Sequence, residues 1–244
     1  MEVIYDDESM YEYMEKAIGI SPDHPILIDR FLNHALECEV DAICDGEQVF
    51  IPTVMEHIER AGVHSGDSAC IIPAKHISLE DLETIKNYTK KIAVKMGIRG
   101  FINIQYATEG GRVFVLEANP RASRTVPLVS KMCQSPLVSF AVATIMANLT
   151  KEPLLIKDFR IGKIPYYGVK EAVFSFELFP EIDPVLGPEM RSSGEVLGLS
   201  SSFGEAFYKA KEAASQRLPN QGNILISVNK RDKKEVIEIA KRFK

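Results

Sequence analysis

The chain has 244 residues, of which 45% are hydrophobic, so it is long enough to bury a substantial core in one or two domains. A formal net charge of -5 and an isoelectric point near 5.7 give no global electrostatic case for binding nucleic acid or a membrane. The longest apolar runs are too short for a membrane span and the start lacks the pattern of a signal peptide, so we expect a cytoplasmic protein.

The first 35 residues predict short elements. Residues 2–5 read as a strand, and Ser9 is a suitable N-cap for a helix over 10–18. Prolines at 22 and 25 would end that helix, and residues 26–29 read as a second strand. The inward side of the helix would carry Tyr13, Met14 and Ala17.

Strict alternation follows, with Glu37, Glu39 and Asp41 on one side of a strand and apolar residues on the other. This pattern predicts a sheet with one solvent-facing side. The later elements, in order, are a strand over 48–57, a helix over 79–96, a hairpin of 101–107 with 112–118, a buried apolar helix over 127–149, short strand-like runs within 156–198 and a helix over 203–215. Four cysteines without metal-binding spacing, namely Cys38, Cys44, Cys70 and Cys133, are expected to be buried thiols.

The segment 113–125 reads VFVLEANPRASRT and is the most informative part of the chain. Residues two apart on a strand point to one face at roughly 6.6 to 6.8 Å, so Glu117 and Asn119 can hold one metal ion or neighbouring ions. Pro120 would end the strand, and Arg121 and Arg124 would reach phosphoryl oxygens from the other side. Taken singly, these residues are equally compatible with a strand that ends in an exposed turn; the whole run favours a magnesium polyphosphate site.

Four segments together resemble the second half of the large chain of carbamoyl phosphate synthetase, an ATP-grasp enzyme. They are GVHSGDS at 62–68, EANPRASRTVPLVSK at 117–131, LGPEMRSSGEV at 186–196 and NILISVNKRDKKEVIEIAKRF at 223–243. The resemblance implies an α+β fold. Residues 1–35 would be the tail of the ATP-grasp small lobe, 36–218 the large lobe with an antiparallel sheet and flanking helices, and 219–244 a linker and the first elements of an α/β regulatory (MGS-like) domain.

The resemblance also implies the chemistry. Carbamate, made from bicarbonate and ammonia in the other half, would attack the γ-phosphate of ATP to give carbamoyl phosphate for pyrimidine and arginine synthesis. Gln105, Glu117 and Asn119 would hold Mg²⁺ or Mn²⁺, and Asn119, Arg121 and Arg124 would be catalytic. The ATP-binding residues implied are Arg30, Leu32, Glu37, Gly62, Val63, His64, Ser65, Gln105 and Glu117. Read without the family, Glu37 is most simply a solvated strand glutamate and His64 a surface residue in a turn.

The hairpin allows a geometric prediction. Since the family places Gln105 with Glu117 and Asn119, the three must share a face, which requires an odd number of loop residues. We therefore predict a three-residue loop over 109–111 that pairs Thr108 with Arg112 and sets Gln105 across from Val115. A two-residue Gly-Gly turn would place Gln105 on the opposite face.

The chain begins immediately after the place where the family has its glycine-rich phosphate loop, so we expect a piece that is inactive alone. Its partners would be the remaining large-chain segments and the glutaminase small subunit. Apolar residues within 1–35 would otherwise be covered by self-association into a homo-oligomer. Two alternatives stay open: a folded non-catalytic fragment with weak nucleotide binding, and another ATP-grasp ligase such as a biotin-dependent carboxylase, which GVHSGDS and LGPEMRSSGEV disfavour.

Overall fold

The computed structural model describes residues 3–20, 25–32, 34–151, 156, 159–162, 164–176, 181, 183–219 and 221–243. The helices are α1 (Asp7–Ile20), α2 (Leu79–Lys95), α3 (Val126–Met132), α4 (Leu137–Thr150), α5 (Phe203–Ala213) and α6 (Lys233–Arg242). The strands are β1 (Leu36–Cys44), β2 (Val49–Phe50), β3 (Met55–Arg60), β4 (Cys70–Ile72), β5 (Gly100–Glu109), β6 (Arg112–Asn119), β7 (Tyr167–Val173) and β8 (Gly194–Ser200).

All eight strands form one sheet in the order β6-β5-β1-β3-β4-β7-β8, with β2 paired to the end of β1. Every pairing in this sheet is antiparallel. The sheet and its flanking helices confirm the predicted α+β class. Because β1 lies between β5 and β3, residues on β1 are held by backbone hydrogen bonds on both sides.

One face of the sheet packs against α2. Cys38, Val40 and Ala42 of β1 join the apolar side of α2 in one core cluster. The helix begins where Ser78 Oγ accepts a hydrogen bond from the Asp81 amide at 3.0 Å, a standard N-cap arrangement. Its inward stripe of Ile85, Thr89 and Ala93 follows the four-residue helical spacing, and the helix predicted over 79–96 is confirmed.

The opposite face of the sheet has two parts. Ile43 at one end of β1 packs under α3 and α4 in a second core cluster. The carboxylates of Glu37, Glu39 and Asp41 occupy the rest of that face and are 7%, 4% and 1% exposed. The prediction of a solvent-facing side is therefore wrong: the loop that begins at Gly62 covers Glu37, and the loop with Ser123 and Thr125 covers Asp41.

The apolar segment after residue 125 forms two helices rather than one buried helix. The chain breaks between α3 and α4, where Pro136 precedes the first residue of α4. Only one side of α4 is buried, since Val138, Val142 and Met146 are each at least half exposed. Within the described ranges no single helix is long and apolar enough to cross a membrane, although α3 and α4, bent by 112° at their break, would qualify by length and composition if joined.

The N-terminal predictions are partly wrong. Helix α1 begins at Asp7, so Ser9 lies inside it, and the Ser9 amide instead donates to Asp6 Oδ1 at 2.8 Å. Residues 3–5 and 26–29 form no strand, while residues 1–2 and Pro22 lie outside the described residues. The predicted apolar surface is present: Tyr5, Tyr11 and Leu27 are 87%, 71% and 84% exposed. All four cysteines are buried free thiols, as predicted.

The hairpin of β5 and β6 has a two-residue Gly110-Gly111 turn that pairs Glu109 with Arg112, so the predicted three-residue loop is wrong. The register nevertheless shifts further along the hairpin, because Tyr106 pairs with Val115 while Gln105 pairs with Glu117. Leu116 is the extra residue of this β-bulge. The two-residue turn alone would put Gln105 and Glu117 on opposite faces of the sheet. The extra residue of the bulge returns Gln105 to the face of Glu117 and Asn119.

Helix α5 packs directly on β7 and β8, and Gly198 of β8 makes the close approach possible. A Cβ atom on Gly198 would lie 2.1 Å from the Ala206 carbonyl oxygen and 2.5 Å from the Ala210 nitrogen. Both are backbone atoms of α5, so neither can move aside without shifting the helix. Gly204 in the same helix has open space around the equivalent position.

We predict that Gly198→Ala lowers the free energy of unfolding by about 3 kcal/mol or more, at or beyond the upper end of typical overpacking penalties. The matched control Gly204→Ala should be neutral or stabilising by up to ~1 kcal/mol, because alanine restricts the unfolded chain. Urea titration followed by circular dichroism measures both. Equal stability of the two variants would contradict the packing described for α5.

Candidate functional site

Three polar side chains meet at the end of the β5-β6 hairpin. Glu117 Oε1 accepts hydrogen bonds from Gln105 Nε2 at 2.7 Å and from Asn119 Nδ2 at 2.8 Å. Glu117 is exposed and the two amides are half-buried, so the cluster opens to solvent. One carboxylate and two amide groups supply the hard oxygen atoms that Mg²⁺ and Mn²⁺ bind, and the donor set therefore fits a divalent ion. The predicted common face is confirmed.

A loop over 120–125 follows this cluster and carries Arg121 and Arg124. It borders a cleft of about 210 Å³, which brings both arginines and Gln105 to one cavity. Arg124 Nη2 donates to the Gly66 carbonyl and to Ser192 Oγ, both at 3.1 Å. Arg121 is exposed, and its guanidinium contacts only the adjacent Ala122 carbonyl among the described hydrogen bonds. The cleft thus brings two guanidinium groups to the same cavity as Gln105, the residue that connects it to Glu117.

The loop GVHSG forms a second wall of the cleft. His64 Nδ1 accepts from the Gly66 amide at 3.0 Å, which folds the loop back on itself. Ser65 Oγ accepts from Gln105 Nε2 at 3.0 Å and connects the loop to the cluster of Gln105, Glu117 and Asn119. A Cβ on Gly66 would lie 2.7 Å from the Arg124 guanidinium, so glycine is needed for this approach.

The remaining predicted nucleotide residues lie further along the same face. Glu37 Oε1 accepts from the Gly62 amide at 3.1 Å, so the carboxylate holds the start of the GVHSG loop instead of facing solvent. The Phe31 ring lies over Gly62, at 3.3 Å from where a Cβ would stand. Its neighbours Arg30 and Leu32, exposed and half-buried respectively, are therefore brought to this loop, and Val63 is half-buried within it.

Sequence reasoning missed the buried charges beneath the cleft. Lys170 of β7 lines the cleft together with Glu39 and Glu195, and its Nζ donates to the Ser65 carbonyl at 3.1 Å. Burial opposes the charged form of Lys170, but Cys70 and the carboxylates of Glu39 and Glu195 outweigh it and raise the pKa of this lysine. Burial also raises the pKa of Glu195, against the attraction of Lys170. A lysine within the apolar strand YGVKEAV was the available signal.

His57 on β3 also received no role from the sequence and is fully buried. Its Nδ1 lies 3.4 Å from Glu37 Oε2, a distance that suits an ion pair better than a hydrogen bond. Burial lowers the pKa of His57, whereas Cys70 and Glu37 raise it, with a net value of about 10. His57 therefore lies behind the GVHSG loop, next to the carboxylate that binds the Gly62 amide.

Asp41 is the most buried carboxylate under the arginine loop. Its Oδ2 accepts hydrogen bonds from Ser123 Oγ at 2.7 Å and Thr125 Oγ1 at 3.0 Å. Its Oδ1 accepts from Asn103 Nδ2 at 3.1 Å. Burial and the nearby Glu39 charge outweigh these bonds and raise the pKa of Asp41 to about 6. Strand register places Asp41, Asn103 and Asn119 in one row across β1, β5 and β6.

Comparison with known proteins identifies similar sequences over the full chain. Residues 1–150 match the family model described as carbamoyl-phosphate synthase L chain, ATP binding domain. The chain is 48% identical to the carbamoyl phosphate synthase large chain, C-terminal section, of Methanocaldococcus jannaschii, covering 100% of this chain and 40% of that protein. It is 50% identical to the large chain of Archaeoglobus fulgidus, covering 100% of this chain and 22% of that one. The corresponding C-terminal section of Aquifex aeolicus is 46% identical, with coverages of 100% and 48%.

The chain therefore spans less than half the length of these curated relatives. Solved structures resemble it in fold alone. A Rhizobium etli pyruvate carboxylase with acetyl coenzyme-A aligns with a TM-score of 0.55 at 15% identity, over 71% of this chain and 16% of that one. The biotin carboxylase domain of a single-chain bacterial carboxylase aligns with a TM-score of 0.50 at 16% identity, over 71% and 44%.

The raised pKa of Asp41 predicts a pH dependence of stability. Between pH 3.8 and about 6 the folded state keeps a proton on Asp41 that the unfolded state has released. The free energy of unfolding contributed by this group therefore falls as pH rises through that window and is level above it. Asp41→Asn should remove this component of the slope.

Urea titrations at a series of pH values compare the two proteins, and carboxyl ¹³C NMR gives the Asp41 titration directly. The expected midpoint is about 6 for a signal that is missing in the variant. A midpoint at or below 3.8, with parallel stability profiles for both proteins, would contradict the assignment.

Proposed function

Because the chain belongs to the carbamoyl phosphate synthase large-chain family, we propose that it supplies the site where ATP phosphorylates carbamate to carbamoyl phosphate. One observation carries the proposal. Both arginines of loop 120–125 line one cleft with Gln105, and Gln105 is hydrogen-bonded to Glu117, which also binds Asn119. Oxygen ligands beside guanidinium groups suit a polyphosphate with a bound divalent ion.

The metal-binding side fits Mg²⁺ or Mn²⁺ by its donors. A bound ion would neutralise charge on the β- and γ-phosphates, which lowers the barrier to attack on the γ-phosphorus. Without it, the Glu117 carboxylate is satisfied by the amide groups of Gln105 and Asn119. Rotation of these amides would present their oxygen atoms instead, so the three residues can hold an ion without movement of the backbone.

The nucleotide side is proposed along the GVHSG loop. Glu37 would accept from the ribose hydroxyls, with its second oxygen held near His57 and its first bound to the Gly62 amide. The backbone of the strip at Arg30 and Leu32 would face the adenine, since Phe31 brings this strip over Gly62. Ribose and base would then lie on one side of Ser65, and the phosphates on the other side, near Gln105.

The arginines would do the electrostatic work of transfer. Arg124 is held against Gly66 and Ser192, which fixes its charge before any ligand enters. Arg121 remains exposed at the cleft. It would orient the carbamate carboxylate or contact the oxygen atoms of the transferred phosphoryl group. Preorganised donors of this kind lower the barrier because they need no rearrangement when charge develops. Phosphoryl transfer needs little else from protein besides positioning.

We predict that Glu117→Gln weakens binding of Mn²⁺ in the presence of ADP by at least ~10-fold, the lower end of what loss of even an outer-shell partner costs. Electron paramagnetic resonance measures free Mn²⁺ directly. The matched control is Glu83→Gln on the outer side of α2, where the carboxylate pairs only with Lys86 among the described residues. Equal losses in both variants, or none in Glu117→Gln, would refute the metal site.

The acceptor is tested by the reverse reaction, formation of ATP from carbamoyl phosphate and ADP, in the large chain that contains these residues. Arg121→Ala should lower this rate by about 10²- to 10³-fold, as expected for loss of one preorganised donor. Binding of adenosine should change little, because Arg121 is not placed beside the ribose or the base. An unchanged rate would exclude Arg121 from the transfer step and weaken the proposal for carbamate.

A further inference from the structure

The loop that carries both arginines has little backbone support of its own. Among the described residues, the amides of Ala122, Ser123 and Arg124 have no backbone partner, and the Arg121 amide donates to the Asn119 carbonyl two residues earlier. The side chains of Ser123 and Thr125 instead point inward and share the Asp41 carboxylate. The two hydroxyl groups also lie 2.6 Å apart, so three oxygen atoms form one compact contact.

The acceptor is held far more firmly than the loop. Asp41 is 1% exposed and lies within the nine-residue strand β1, where it pairs with Asn103 of β5. Asn103 Nδ2 holds its other oxygen at 3.1 Å and lies 3.3 Å from Glu39 Oε2. Burying the carboxylates of Glu39 and Asp41 beside each other costs free energy. Apolar side chains would fill the space under the loop without that cost.

We infer that Asp41 is a positioning residue that anchors Ser123 and Thr125, and so fixes where loop 120–125 presents Arg121 and Arg124. The hydroxyl contacts alternate with the arginines along the loop. Ser123 therefore points down to β1 while its neighbour Arg124 reaches Gly66 and Ser192. The anchor sets guanidinium positions without touching a ligand. Its use in phosphate binding depends on the proposed function, whereas the anchoring itself does not.

The N-terminus of α3 does not explain these contacts. Thr125 is the N-cap residue of α3, yet its side chain makes no capping hydrogen bond to the helix. Its hydroxyl is used for Asp41 instead. Removal of this hydroxyl by Thr125→Val therefore tests the anchor without loss of a helix cap.

The rate of trypsin cleavage measures how often the anchored loop opens. Trypsin cleaves after arginine, and the Arg121-Ala122 and Arg124-Thr125 bonds lie in this loop. Loss of hydrogen bonds to a buried carboxylate should open the loop often enough to raise cleavage at these two bonds by about tenfold or more. The variants are Asp41→Asn, the pair Ser123→Ala with Thr125→Val, and the combination of all three. Mass spectrometry assigns the cleaved bonds, and urea titration gives the stability of each protein.

The matched control is Glu171→Gln, the same change at a buried carboxylate of β7 whose partner is Lys211 at 3.1 Å. We expect unchanged cleavage after Arg121 and Arg124 in this control. We also expect the triple variant to be no more sensitive than Asp41→Asn, since residues that act through one contact are not additive. The inference would be overturned if cleavage in the triple variant rose by the combined effects of the separate changes. It would also be overturned if Asp41→Asn left cleavage at both bonds no faster than in the unaltered protein.

Calorimetric titration with pyrophosphate separates this inference from the proposed function. If Asp41→Asn opens the loop and weakens pyrophosphate binding while adenosine binding is unchanged, both are supported. If the loop opens and pyrophosphate binding is the same in both proteins, the anchor stands and the role of the arginines in phosphate binding fails.

Discussion

The candidate site depends on a parity constraint in the β5-β6 hairpin. Successive side chains of a strand point to opposite faces, so a one-residue change of register moves a whole set of side chains across the sheet. The Gly110-Gly111 turn alone would place Gln105 opposite Leu116 and away from Glu117. The bulge at Leu116 corrects this, and pairs Gln105 with Glu117 and Asn103 with Asn119. The common face of Gln105, Glu117 and Asn119 therefore depends on that single extra residue.

One face of β1 carries three buried carboxylates beneath the candidate site, and their charges must be compensated by neighbouring groups. Glu37, Glu39 and Asp41 follow one another on one face of β1, and all three are buried. The carboxylate of each lies beside a different part of the chain. Glu37 lies beside His57 and the Gly62 amide, Asp41 binds the arginine loop, and Glu39 lies near Lys170. The acidic strand thus acts as a common base for the GVHSG loop and the arginine loop. A strand of neutral residues would pack as well but would not hold these loops.

Much of this could be predicted from the sequence. Local patterns located the main helices, most strands of the sheet and the run from Glu117 to Arg124, because each depends on short-range periodicity or on adjacent residue types. The shared face of Gln105 and Glu117 was also predicted, although through the wrong loop length. A bulge leaves no clear trace in composition, so a sequence argument can reach its consequence but not its position.

The missed features are those set by tertiary contacts. An alternating acidic strand has the same pattern whether its polar face meets water or buried hydroxyl groups, so Asp41 and its partners Ser123 and Thr125 were not recognised. The break between α3 and α4 was missed although Gln134, Ser135 and Pro136 interrupt the apolar pattern at that point. Lys170 lies in no motif, and Glu195 lies in LGPEMRSSGEV without a role that the sequence indicates; only the folding of β7 and β8 onto the GVHSG loop brings both to the cleft.

The central claim is that the bulged hairpin assembles one metal-binding cluster beside the cleft that the arginine loop lines. Anomalous diffraction from crystals grown with Mn²⁺ and ADP tests this most directly, because the signal locates manganese without assumptions about the protein. The account predicts a peak within ligand distance, about 2.0 to 2.6 Å, of oxygen atoms of Glu117 and at least one of Gln105 or Asn119. Manganese bound elsewhere, with the Glu117 carboxylate still held by both amides, would contradict it.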